Sequence, residues 1–115
     1  MIGLFSALSG TLASYQMFCE IEGKVVSTPV FSNFIAFEFA VSSSRDIEDE
    51  ILGAGWLDCH LLLGKRIKVV LEPEDAGEHD QISVGARLTL ERYEVDVILE
   101  QSGDIVRSVK HVRTD

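Results

Sequence analysis

The sequence predicts an α+β or mainly β domain: a curved antiparallel sheet or partly open small barrel of about six strands, with an N-terminal helix and a short acidic helix. Three observations lead there. Apolar residues alternate with polar ones in several short stretches, the mark of half-buried strands. Turn-forming residues separate those stretches: Ser32-Asn33, Gly77 and Gln101-Ser102-Gly103-Asp104. The alternation also slips by one residue late in the chain, as happens where a small barrel bends. At 115 residues, with 46% hydrophobic and 25% charged, one folded domain spanning 1–115 is expected.

Residues 1–19 carry no charged side chain. At 100° per residue, Leu4, Phe5, Leu8, Leu12 and Tyr15 share one face, and Gly3, Ser6, Gly10 and Ser14 the other. This predicts an amphipathic helix that covers one end of the β core, with homo-oligomer formation through it as a second use. Its polar dilution and lack of basic flanks argue against a signal peptide or a membrane span.

From Met17 to Val25 the pattern becomes a strand, with Met17, Cys19, Ile21 and Val25 on one side. Thr28-Pro29 interrupts it, because proline has no N–H for the ladder. Phe34 to Val41 is a second strand with Ile35, Phe37, Phe39 and Val41 inward. Ser42-Ser43-Ser44 then suits a helix cap, and Asp46, Glu48, Asp49 and Glu50 suit its first turns. Ile47, Ile51 and Leu52 would face inward, and Gly53-Ala54-Gly55 would end the helix. Residues 56–62 suit a short helix or turn.

Lys65 to Leu71 is a strand with Ile67, Val69 and Leu71 inward. An acidic loop follows to Gln81, holding Glu72, Glu74, Asp75, Glu78 and Asp80. Leu88 and Leu90 lie in phase on the next strand, but Tyr93, Val95, Val97 and Leu99 have the opposite parity. If both sets face one core, a bulge or bend is required near Glu91-Arg92. A final hairpin leads into the strand Ile105 to Val112.

The chemistry of these residues excludes more than it identifies. Cys59-His60 are adjacent and therefore diverge, which does not suit a nucleophile–base pair. No CxxC or HxxxH clip, calcium loop or phosphate-binding glycine pattern occurs. No catalytic role, metal or cofactor is expected. Cys19 and Cys59 lie among apolar residues, where free thiols behave as small hydrophobes; this suggests a reducing, cytoplasmic compartment and leaves a single Cys19–Cys59 disulfide open.

The formal net charge is −9, from 19 acidic and 10 basic residues. This disfavours nucleic-acid and membrane partners and favours a basic protein. The leading expectation is a non-enzymatic interaction or inhibitor protein, of the physical type of immunity proteins and phage inhibitors. Its acidic surface would be Asp46, Glu48, Asp49, Glu50, Glu72, Glu74, Asp75, Glu78 and Asp80. The alternative is an OB-like small-barrel module that binds nucleic acid or a small ligand through a basic face of Arg66, Lys68, Arg107 and Lys110.

Overall fold

Among the described residues, alternating chain segments build a sheet without an α-helix. The structure, a computed structural model, describes residues 11–51, 53–55, 57–77, 81–99 and 105–114. Its strands are β1 (Thr11–Val25), β2 (Val30–Phe31), β3 (Ile35–Asp46), β4 (Glu48–Asp49), β5 (Gly53–Ala54), β6 (Arg66–Leu71), β7 (Arg87–Leu99) and β8 (Ile105–Thr114). Two short 3-10 turns, Cys59–Leu62 and Pro73–Asp75, interrupt them.

The main sheet is antiparallel at every pairing. Its path runs β6–β3–β1–β7–β8, with β2 continuing the β1 edge of β3. β4 and β5 form a separate hairpin. The sheet curls into a half-barrel that brings β6 and β8, its two ends, near each other without a ladder between them among the described residues. At about 3.3 Å per residue the fifteen residues of β1 span roughly 50 Å, which accounts for the 51 Å long dimension.

The inner face holds the core: Ile21, Val25, Ile35, Phe37, Phe39, Val69, Leu71, Leu88 and Leu90 are all buried. Period-two placement put them there, as expected. Ile67 is only partly buried, Val95 lies on the opposite face, and the Val97 side chain lies outside the described ones. Gly23 permits a close strand approach. A Cβ there would fall 2.1 Å from the Ala40 carbonyl oxygen, beside the register shift at Glu22/Gly23.

Four expectations change. Residues 11–15 of the expected N-terminal helix are strand, pairing with β7 from Thr11 onward; Leu4, Phe5 and Leu8 lie outside the described residues. The acidic helix is also absent. β3 continues through Ser42–Asp46 beside β1, and the carboxylates that follow sit on the β4–β5 hairpin. An isolated eight-residue helix is a poor competitor for a ladder that adds a bond per residue. Asp49 Oδ2 accepts the Ile51 N–H at 2.9 Å, an Asx turn, and Gly53 at φ +79° completes the reversal.

No bulge occurs at Glu91-Arg92. β7 pairs with β1 from Leu88 to Asp96, and with β8, without a shift. The two apolar sets instead face opposite sides of the sheet. Finally, Cys19 and Cys59 are not free: they form a disulfide with 5.7 Å between Cα atoms. The Cys59–Leu62 turn brings Cys59 onto the inner face, where both cysteines are fully buried.

Candidate functional site

Two clusters of ionisable groups flank β7, one on each face. On the inner face Arg92 donates through Nη2 to Glu94 Oε1 and through Nη1 to His111 Nε2, each at 2.9 Å. Burial, then the Arg92 charge, push His111 down to about 3. The imidazole is therefore neutral at pH 7 and accepts at Nε2. With Nε2 occupied by the Arg92 N–H, the neutral ring has no free lone pair to act as a base, and the geometry gives this cluster a role in holding β7 to β8.

On the outer face β7 presents Glu91 and Tyr93. The Tyr93 hydroxyl donates to Glu91 Oε1 at 2.6 Å, and its ring packs on Phe18 at 5.4 Å between centroids. The chain after β3 stays on the β1 edge: the Ile47 and Leu57 N–H groups donate to the Phe18 and Gln16 carbonyls. Between those anchors the hairpin reaches over the outer face. Glu48, Asp49, Glu50 and Ile51 then share a groove with Glu91 and Tyr93. An adjoining groove of about 380 Å³ continues over Phe18, Val95, Ser108 and Lys110. Desolvation, then the hydrogen bond and charge of Glu91, then Asp49 and Glu50, push Tyr93 up to about 12.

Ion pairs lie elsewhere on the sheet, and Lys110 lines the adjoining groove. Arg45 meets Glu20 at 2.6 Å, Arg66 meets Glu38 at 3.4 Å, and Arg92 meets Glu94 at 2.9 Å. Ile51, at the hairpin tip, is 91% exposed amid the carboxylates. Glu91, Tyr93 and Ile51 were not expected at the site. Ile51 was expected to face inward and instead caps the hairpin in solvent, and of the three only Tyr93 had a signal, as a member of the second apolar set on β7.

The expected acidic residues divide. Glu48, Asp49 and Glu50 join the groove. Asp46 accepts the Cys59 N–H at 3.2 Å and so helps seat the 3-10 turn. Glu72, Glu74 and Asp75 lie on the other 3-10 turn, and Glu78 and Asp80 lie outside the described residues. Glu72 is pushed up by its hydrogen bond to Glu74 and by that neighbour's charge; Glu74 is held down by its own backbone N–H and then by Glu72. Lys110 lines the grooves beside both acidic sets.

Of the expected basic residues, Arg66, Lys68 and Lys110 lie along the β6–β8 seam, interspersed there with Glu38, Glu72 and Asp75. Arg66 and Lys68 are exposed on β6, and Lys110 is exposed on β8. Arg107 has the opposite parity to Lys110 on β8, and its side chain lies outside the described ones. Among the described residues no group of three His, Cys, Asp or Glu is placed to hold a metal, and no helix is long and apolar enough to cross a membrane. Comparison with protein-family models, curated proteins and solved structures finds no match.

Proposed function

We propose that this chain is a non-enzymatic interaction protein, of the physical type of immunity proteins and phage inhibitors, that receives a basic protein partner on the outer-face groove. The observation that carries the reading is the convergence of Glu48, Asp49, Glu50 and Glu91 around Tyr93, with Ile51 exposed at the rim. Carboxylates over an aromatic floor suit an arginine or lysine side chain, and the exposed isoleucine offers an apolar anchor beside it. Such a surface speeds association with a basic partner more than it slows dissociation. The OB-like reading has less support, because Arg66 is bound to Glu38, and Glu72 and Asp75 share the hollow beside Lys110.

The compartment belongs to the same proposal. A cytoplasmic setting rested on free thiols, whereas the Cys19–Cys59 bond favours an oxidising compartment.

The test is an NMR titration of the disulfide-bonded chain with an octa-arginine peptide at low and high salt. Shifts centred on Glu91, Tyr93 and residues 48–51, weakened by salt, are expected. They should vanish in the Glu48→Lys, Glu50→Lys, Glu91→Lys triple variant. Shifts centred on Glu72, Glu74 and Asp75, or unchanged in the variant, would overturn the groove as the binding surface.

A further inference from the structure

Away from the acidic groove, the seam between β6 and β8 has a different character. The register places Val30, Ala36 and Val70 side by side across β2, β3 and β6. Val70 and Val109 line both hollows along the seam, one of about 360 Å³ with Lys68 and one of about 240 Å³ with Phe34 and Lys110. The result is an apolar stripe over four strands. Val30 is 62% exposed, Phe34 50%, and Val70 and Val109 41% each. Singly exposed apolar residues need no explanation, but a contiguous stripe marks an interaction surface.

The charges around the stripe indicate what covers it. Arg66, Lys68 and Lys110 border it with Glu38, Glu72 and Asp75. Three cations balance three carboxylates on a chain whose net charge is −9. A strongly cationic or anionic partner would gain little there. Two copies of this chain, which repel each other over most approaches, can meet at such a neutral patch. With charges of both signs at its border, the patch allows a two-fold axis to set the cations of one copy against the carboxylates of the other.

We infer that the β6–β8 seam is a homodimer interface, with Val70 and Val109 at its centre and the Lys and Glu/Asp pairs at its rim. It replaces the N-terminal segment as the proposed site of self-association and is independent of the basic-partner groove. A dissociation constant of about 100 µM is taken as the weak limit for a dimer held by so few apolar residues.

Sedimentation equilibrium over a concentration series, with the disulfide intact, tests it. The 12.7 kDa chain should approach twice its mass at the highest concentrations. Val70→Asp and Val109→Asp, at partly exposed positions that leave the fold intact, should each weaken dimerisation at least tenfold. Lys110→Glu, which unbalances the patch, should weaken it several-fold, with partial recovery in high salt. Ile51→Asp, at the hairpin tip, should leave it unchanged. If the native chain remains monomeric at roughly millimolar concentration, well above that constant, the inference fails. It also fails if Val70→Asp and Val109→Asp dimerise as the native chain does, or if Ile51→Asp alone abolishes the dimer. An intact circular dichroism spectrum for each variant separates these outcomes from misfolding.

Discussion

The two halves of β7 differ in chemistry although they share a strand and a face. Leu88 and Leu90 enter the core opposite Gly23 and Ile21. Two residues on, at the same parity, come Arg92, Glu94 and Asp96, and the last two are also buried, at 5% and 9% exposure. The apolar set has crossed to the outer face, where Tyr93 and Val95 lie near Phe18 under the hairpin. Burying an arginine and a glutamate costs several kcal/mol each before they pair. The charged half holds through the pairing of Arg92 with Glu94 and His111, although Arg92 Nε stays buried without a partner, whereas the apolar half needs no specific partner. The lesson is that parity assigns residues to a face, but what covers that face decides whether it is filled with leucine or with paired charge.

The disulfide lies where the halves meet, since Cys19 is the register partner of Arg92. It closes a loop across a sequence separation of 40. Constraining a loop of that length in the unfolded chain is worth about 4 kcal/mol. Cys19→Ala with Cys59→Ala, or reduction by dithiothreitol, should lower the free energy of unfolding in guanidinium by about that amount. An unchanged midpoint on reduction would show that the bond does not form in the folded protein.

Next in size is the direct comparison of the halves. Arg92→Met removes the guanidinium 2.9 Å from the buried Glu94 carboxylate and should cost about 3 kcal/mol. Leu90→Ala leaves a cavity of ordinary kind and should cost about 2–3 kcal/mol. Replacing both charges, Arg92→Met with Glu94→Leu, should recover much of the first loss, whereas no single companion change repairs Leu90→Ala. A double variant less stable than Arg92→Met alone would show that the charged half does not act as a pair.

The charged half also carries a pH signature. His111 is held at about 3 in the folded chain against an ordinary 6.5. The unfolded chain therefore takes up a proton first. Stability is complete above pH 6.5 and falls as the pH drops through the window from 6.5 towards 3, by up to about 1.4 kcal/mol per unit. At pH 5 this amounts to about 2 kcal/mol. His111→Gln should flatten that part of the profile. Parallel profiles for native and variant chains would place His111 in solvent, contrary to its packing beside Arg92.

Most of the sheet was legible in the residues and much of the site was not. Period two located the inward positions of β1, β3 and β6, because those strands have one apolar face and one mixed face. The run from Asp46 to Glu50 misled because serine and carboxylate patterns suit a helix cap as well as a hairpin. Only the pairing of β3 with β1 through Asp46 decides between them. The phase change on β7 was visible, but a bulge and an exchange of faces produce the same spacing. Glu91 and Tyr93 meet the hairpin through contacts 40 residues apart, which no local pattern records.

The smallest expected effect tests whether the outer apolar set is as covered as its geometry implies. Glu91 lies opposite Glu20 in the register, so two carboxylates share a row, and Arg45 offsets one of them. Glu91→Gln removes that like-charge neighbour while keeping an acceptor for the Tyr93 hydroxyl. The loss in one term and the gain in the other leave stability within about 1 kcal/mol of the native chain. The tyrosine itself is the sharper probe. Its displacement to about 12 comes first from desolvation and only then from Glu91. In ultraviolet titration Glu91→Gln should lower the Tyr93 midpoint yet leave it above the ordinary 10, because the hairpin and Phe18 still shield the ring. A midpoint that falls all the way to 10 would assign the whole displacement to charge. The outer half of β7 would then be an open surface, and the contrast between a covered apolar set and a buried charged one would fail on its apolar side.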